Sequence, residues 1–425
     1  YRRKRRITMA DLQRSVASVN HREMEVIEDQ LTRNGVDIYA GEARFVDPHT
    51  IEVTREGDSI KLETDRVLLA VGTRPDRNPT TPFDGQCVFD SDELLNIDHI
   101  PRSMIVVGGG GVIGIEYGIM FATLGVNVTV VDGRDQLLGF CDKEIVDTLL
   151  YHARSIGMVF RLGEKVVKIN RLAEDRAAIE LESGKRLVAE SVLMAVGRTG
   201  DTEGLNLNAA GLKPDSRGRV ECNEHHETSV SHIYGVGDVV GFPALASVSM
   251  EQGRRAVAHM FGEEEREYQT MPYGLFTIPE ISMIGENEEE LTARKVPYEV
   301  GVARFREIAK GQIVGDRMGL LKLLFHRHTR KVLGVHVIGD SATEIVHIGQ
   351  AVMQFGGTID YFRDTVFNHP TMAECYKVAA FDGLNKIGLD LQLEREISQQ
   401  EAAILEQVDE LVAETSVATQ PVTNE

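Results

Sequence analysis

One stretch constrains this chain more than any other. The apolar run Met104-Ile105-Val106-Val107 leads directly into Gly108-Gly109-Gly110-Gly111-Val112-Ile113-Gly114. A buried strand that meets consecutive glycines must turn at once, and Glu116, Met120 and Phe121, running on toward Gly125, predict a helix after the turn. Gly109, Gly111 and Gly114 satisfy G-x-G-x-x-G. In that pattern the first glycine turns tightly, the second lets backbone amides approach a pyrophosphate, and the third packs helix on strand. The next apolar strand, Val128-Thr129-Val130-Val131, ends in Asp132, 21 residues after Gly111. A carboxylate there accepts hydrogen bonds from an adenosine ribose, which favours NAD. Arg134, two residues on, has two readings: a partner for the 2′-phosphate of NADP, or a solvated loop residue.

Around this βαβ unit the chain repeats itself. Arg66-Val67-Leu68-Leu69-Ala70-Val71-Gly72-Thr73-Arg74-Pro75 reads as a buried strand stopped by glycine and proline. A similar phrase recurs at Ser191-Val192-Leu193-Met194-Ala195-Val196-Gly197-Arg198-Thr199, which implies two related domains. Before the first copy, a helix over 8–33 is framed by Thr8 and Asp11 at its start and Asn34-Gly35 at its stop. Val36–Tyr39, Ala43–Val46 and Thr50–Val53 follow as a small antiparallel meander. Further helices are expected over 142–157 and 246–260, and a third region runs from Pro272. From about 391 an acidic, amphipathic helical pattern packs on a partner or on the body, and the polar end past Glu414 reads as disordered.

Composition excludes more than it selects. At 425 residues and 42% hydrophobic, the chain is long enough for two or three domains. Acids outnumber lysine plus arginine 66 to 46, and the resulting net charge of −20 disfavours nucleic acid and anionic membranes as partners, the basic run at Tyr1–Arg6 notwithstanding. Cys87, Cys141, Cys222 and Cys375 lie far apart without a C-x-x-C pair, so no metal site or disulfide framework is signalled and a reducing cytoplasm fits. No apolar run reaches the roughly 20 residues that cross a bilayer.

His232-Ile233-Tyr234-Gly235-Val236-Gly237-Asp238 is another strand that ends in Gly-Asp, with Leu245-Ala246-Ser247 opening a helix. Taken with Gly72-Thr73, the central glycine cluster and Asn368-His369-Pro370-Thr371-Met372-Ala373-Glu374, it resembles the class I pyridine nucleotide-disulfide oxidoreductases from end to end. Several phrases are most similar to the soluble, Si-specific pyridine nucleotide transhydrogenases of that family. They are Gly197–Gly200, Asp215–Gly218, Gly241–Ser247, Thr277–Ser282 and Val296–Gly301. Where other branches place a histidine after the Leu-Ala pair, this chain has Ser247.

The resemblance implies an α/β fold: two Rossmann-like domains binding FAD and NAD(P), then an α+β dimerisation domain. The expected division is FAD-binding over 1–100 and 226–270, NAD(P)-binding over 101–225, dimerisation over 271–390 and a tail over 391–425. It implies hydride transfer from NADPH to NAD+ through FAD, in a homodimer. Asp238, with Gly237, is expected at the flavin's ribityl or phosphate region, Ala246 near the isoalloxazine, Gly72 and Thr73 along the cofactor, and Gly197 in the equivalent turn. Glu116, placed on the first turn of the nucleotide helix, matches the family glutamate beside nicotinamide and flavin, its alternative being an acid that only favours the helix dipole. His369 and Glu374 match the His-Pro-Thr-x-x-Glu signature, in which relatives that reduce disulfides use a Glu-oriented imidazole as acid and base. They leave two alternatives open, a dihydrolipoamide dehydrogenase-like disulfide reductase or an inherited structural histidine.

Family members begin with a strand, a glycine turn and a helix for the FAD pyrophosphate, whereas this chain has one such turn and starts at Tyr1 inside a basic run. The expectation is therefore an FAD domain truncated at its N-terminus, inactive until the upstream residues are restored. A non-catalytic nucleotide-binding remnant is the corresponding alternative.

Overall fold

The structure is a computed structural model and describes residues 7–173, 175–265 and 270–388. The chain divides between Ile278 and Pro279 into two compact units. The basic run at Tyr1–Arg6 and the tail from 391 lie outside the described residues.

The first unit opens with the helix Met9–Arg33. Thr8 accepts from the Asp11 amide while the Asp11 carboxylate accepts from the Thr8 amide, so two of the four unpaired N-terminal donors are satisfied. The meander is Glu42–Asp47, Thr50–Arg55 and Asp58–Glu63, and it buries Phe45. Val36–Tyr39 is not one of its strands. The Val36 amide bonds the Leu31 carbonyl, so this segment begins as the stop of the preceding helix. The third strand lies beyond Glu56-Gly57, both at positive φ, the two-residue hairpin turn that a right-handed twist favours.

At the centre is a five-stranded parallel sheet in the order Val88–Asp90, Ser191–Met194, Ser103–Val107, Asn127–Asp132, Val159–Leu162. From Ser103–Val107 the chain winds outward in one direction, while Ser191–Met194 returns on the other side. The strand order therefore reverses there and opens a crevice at the carboxyl ends, where open α/β sheets bind ligands. Such strands are covered on both faces, and Val106, Val130, Val192 and Leu193 are fully buried. The helices Val112–Thr123 and Lys143–Ser155 bury Ile115, Ile119, Ile145 and Leu149. A three-stranded antiparallel meander, Val166–Ala173, Arg176–Leu181 and Arg186–Ala189, leads back into the sheet.

The Arg66–Pro75 phrase is not one buried strand. It divides into Val67–Leu69, parallel to Ile233–Gly235, and Thr73–Pro75, antiparallel to Arg198–Gly200, with Gly72 at φ +69° between them. Val67–Leu69 has one ladder neighbour among the described residues, and Leu68 is 37% exposed. Ile233–Gly235 continues into the short 3-10 turn Gly237–Val240 and the helix Ala246–Met260.

In the second unit, Ile281–Gly285, Val332–Ile338, Leu320–His326 and Tyr298–Arg304 follow one another in an antiparallel sheet. The helices Ala342–Gln354 and Ile359–Asp364 and the helical residues 374–388 contribute to its core. Buried Tyr376 ties that core together. Its hydroxyl donates to the Ile345 carbonyl at 2.8 Å and accepts from the Gly349 amide at 3.0 Å.

Candidate active site

The glycine cluster divides its labour by geometry. Gly108 turns at φ +76°, and a Cβ on it would lie 2.5 Å from the Ala195 carbonyl oxygen. Gly114 packs helix on turn, since its Cβ would meet the Gly109 Cα at 2.5 Å. Gly109 in turn lies against Val130, 2.7 Å from where its own Cβ would sit. Gly111 is different: a Cβ there meets nothing closer than 3.6 Å, so the chain itself does not exclude a side chain. The space it keeps is on the cleft side, at the N-cap of a helix with no side-chain cap and no acid in its first turn. Helix amides left without a side-chain partner at a glycine turn are what a pyrophosphate requires, and the residues present fit a dinucleotide.

Asp132 sits at the end of the neighbouring strand, 5% exposed. Its Oδ2 accepts from the Gly110 amide at 2.7 Å and from Arg134 Nη2 at 2.7 Å, and its Oδ1 accepts from Arg134 Nε at 2.9 Å. Burial pushes this carboxyl up. The fork from Arg134 and the amides of Arg134 and Gly110 outweigh it and hold the group below the ordinary carboxylate range. Gly110 would carry its Cβ 2.7 Å from Asp132 Oδ2, so the third glycine of the run is needed as well. A cleft of about 1000 Å³ opens here, lined by Gly111, Asp132, Arg134, Lys165, Gly197 and Arg198 among others.

The second copy of the repeated phrase reaches the first. Arg198 donates through Nε to Thr73 Oγ1 at 2.7 Å and through Nη2 to the Thr73 carbonyl at 2.6 Å. The Thr73 hydroxyl also approaches Asp238 Oδ2 at 3.3 Å. Gly197 turns at φ +142°, Gly237 at φ +76°. The Gly237 amide donates to buried Gln252 Oε1 at 2.7 Å, which fixes the turn that presents Asp238. A Cβ on Gly72 would meet nothing within 4 Å. Ala246 begins its helix with an exposed side chain, again without a side-chain cap. Half-buried Asp238 beside Thr73, with open space at Gly72 and Ala246, fits the sugar and ring end of a flavin. Among the described residues the strand, glycine turn and helix cradle occurs once, at Gly108–Gly114.

Glu116 is the fifth residue of the helix Val112–Thr123, one position beyond the first turn, which corrects its expected placement and weakens the dipole reading. Its Oε1 accepts from the Phe276 amide at 2.7 Å, and burial pushes its carboxyl up. In the second unit, His369 Nδ1 lies 2.7 Å from Glu374 Oε1, and Glu374 Oε2 accepts from the Thr371 amide at 3.1 Å. The imidazole is 68% exposed, oriented by a carboxylate that its hydrogen bond holds below the ordinary range. Arg198, Gly108, Gly110 and Gln252 were not singled out by sequence reading. The four-glycine run and the arginine directly after Gly197 were signals for three of them. Gln252 gives none, being one polar residue of a helix.

A parallel sheet whose strand order reverses beside a glycine cradle defines a dinucleotide-binding fold. The profile of the pyridine nucleotide-disulphide oxidoreductases matches residues 3–253, and that of their dimerisation domain matches residues 271–380. The chain belongs to this family. It is 49% identical over 390 residues to a soluble pyridine nucleotide transhydrogenase of Mycobacterium tuberculosis, covering 91% of this chain and 83% of the relative. It is 42% identical over 389 residues to the soluble pyridine nucleotide transhydrogenase of Colwellia psychrerythraea, covering 90% and 83%. Among solved structures, LpdA from Mycobacterium tuberculosis superposes with a TM-score of 0.82 at 26% identity, covering 88% of this chain and 83% of that one. The HOCl-induced flavoprotein disulfide reductase RclA from Escherichia coli gives 0.81 at 25%, covering 88% and 85%. The resemblance read from the motifs is borne out.

Proposed function

We propose that this chain is an FAD-dependent transhydrogenase that moves hydride from NADPH to NAD+, giving NADP+ and NADH. The observation that carries the reading is near-half identity to soluble pyridine nucleotide transhydrogenases across nine-tenths of the chain. Bound FAD supplies the two-electron carrier between the two nicotinamides. This chain's residues do the holding. Gly109, Gly111 and Gly114 receive the pyrophosphate. Asp132 takes the ribose hydroxyls of NAD, and Arg134 swings from Asp132 to a 2′-phosphate, so one cleft accepts both nucleotides. Glu116 holds the carboxamide in a site dry enough to raise its own carboxyl. Gly72, Thr73, Gly197, Gly237, Asp238 and Ala246 line the flavin.

The finer features belong to the same proposal: Si-face transfer, a cytoplasmic homodimer joined through 271–390, FAD binding by 1–100 with 226–270, and NAD(P) binding by 101–225. No helix among the described residues is long and apolar enough to cross a membrane.

A disulfide reductase is the second reading, favoured by the His369–Glu374 pair. The described cysteines do not support it. Cys87, Cys141 and Cys375 are buried, and burial pushes the Cys141 and Cys375 thiols up to about 12 and half-buried Cys222 to about 11. A thiol held so high is not a nucleophile at neutral pH.

The test is hydride transfer from NADPH to thio-NAD+ by the FAD-loaded protein without added thiol. Fast transfer, lost in Glu116→Gln without loss of thermal stability, is the expected result. Reduction of lipoamide with negligible transfer would hand the site to His369 and Glu374. In the same assay Arg134→Leu weakens NADPH about 10-fold or more while sparing thio-NAD+.

A further inference from the structure

Three metal-binding side chains meet outside the dinucleotide cleft. His225 sits in the loop after Asn223, whose side chain accepts from the amides of His225 and Glu227 at 2.9 and 3.0 Å. His259 is in the last turn of the helix Ala246–Met260, and Glu265 follows after the chain has turned back. Each of the three is half-buried, and each brings a ligand atom within 4.8 Å of the other two. None lines the cleft at Gly111.

From this arrangement we infer a site for one divalent ion of the zinc type, held by His225, His259 and Glu265. Two imidazole nitrogens and one carboxylate oxygen suit Zn2+, Co2+ or Ni2+, with a fourth position left to water. The details assign the atoms. His225 and His259 stack with ring centroids 4.4 Å apart and planes 9° from parallel. The Tyr234 hydroxyl engages His259 Nδ1 at 2.8 Å, which leaves Nε2 for the ion and supplies the outer partner that ligating histidines use. Arg255 Nη2 approaches Glu265 Oε2 at 3.4 Å, leaving Oε1 for the ion. His225 Nδ1 lies 2.6 Å from that Oε1 yet is buried without an aligned hydrogen bond. Ligands about 2.1 Å from one tetrahedral ion lie about 3.4 Å apart, so no pair has to close by more than about 1.4 Å, the His225–Glu265 pair opens by about 0.8 Å, and one imidazole turns out of the stack so that both ring nitrogens face the ion. Filled, the site ties the helix end at His259 to the His225 loop, and through Tyr234 to the strand that leads to Asp238.

The experiment uses the chelator-stripped protein titrated with Co2+. The expected result is one Co2+ per chain with tetrahedral d–d absorption, displaced by Zn2+, and a Tm raised by the metal. Glu265→Gln, which keeps the side chain's size, and His225→Asn abolish the absorption while melting cooperatively in EDTA. Tyr234→Phe keeps all three ligands and weakens binding about 10-fold. No d–d absorption at millimolar Co2+, or unchanged affinity in Glu265→Gln, overturns the site.

Discussion

Arg66-Val-Leu-Leu-Ala-Val-Gly-Thr and Ser191-Val-Leu-Met-Ala-Val-Gly-Arg are nearly the same phrase, and the fold treats them differently. Ser191–Met194 is flanked on both sides by parallel strands, and every residue in it is buried. Val67–Leu69 pairs with Ile233–Gly235 alone among the described residues, and of its three residues only Leu69 is buried. Apolarity decided that both would be strands, and the number of neighbours decided how much surface each removes from water. The largest expected effect tests this directly. Leu193→Ala should cost about 2–5 kcal/mol in urea unfolding, as fully buried leucines do, and Leu68→Ala about 0.5 kcal/mol. Equal losses would mean that Leu68 is covered in solution and would break the comparison.

The glycines that end the phrases differ too. Gly197 sits at φ +142°, a region essentially closed to other residues, whereas Gly72 at φ +69° is in the left-handed helical region with open space around it. Gly197→Ala should therefore cost about 2–3 kcal/mol and Gly72→Ala about 1 kcal/mol, read from thermal melts. A larger loss at Gly72 would place a neighbour there.

The contrast also shows how far sequence reaches. The nucleotide cradle was legible because it is local: four glycines, a helix and an acid at the next strand's end follow one another within 25 residues. The helix over 8–33 was legible from its cap and period and lies at Met9–Arg33, and the one expected over 246–260 lies at Ala246–Met260. Burial of Val67–Leu69 was not, because it depends on strands distant in the chain. Val36–Tyr39 misled for the opposite reason, an alternating pattern claimed by the preceding helix's stop. Arg198 was invisible as a link because Thr73 is 125 positions away.

That link is where the phrases meet, and it can be measured. Arg198→Lys keeps the charge but loses the fork onto Thr73 Oγ1 and its carbonyl, and should cost about 1–2 kcal/mol in urea unfolding. Combined with Thr73→Val, a double-mutant cycle should return about 1 kcal/mol of coupling. Zero coupling would mean that the Thr73 hydroxyl adds nothing to the bond that Arg198 makes with the Thr73 carbonyl.

The smallest effect separates the acids at the ends of two strands, Asp132 of Asn127–Asp132 and Asp238 just past Ile233–Gly235. Half-buried Asp238 has a threonine hydroxyl beside it, whereas Asp132 carries an arginine fork and two backbone amides. Burial raises Asp132 and those partners more than reverse it, so its folded pKa is depressed. A depressed carboxyl contributes stability that is fully present above its unfolded value, near 3.9, and disappears as pH falls through the folded one. Arg134 is 58% exposed, so solvent screens its share and the contribution is small. Arg134→Leu leaves the burial and removes the fork, so the Asp132 pKa rises, the stability it contributes at neutral pH falls, and the further loss on acidification below about pH 4 shrinks. Urea midpoints measured from pH 3 to 7 should show a lower midpoint at pH 7 and a smaller fall below about pH 4 in Arg134→Leu than in the parent chain. An equally steep acid fall in Arg134→Leu would mean that the guanidinium does not hold Asp132 in solution, and the two acids would differ less than their partners do.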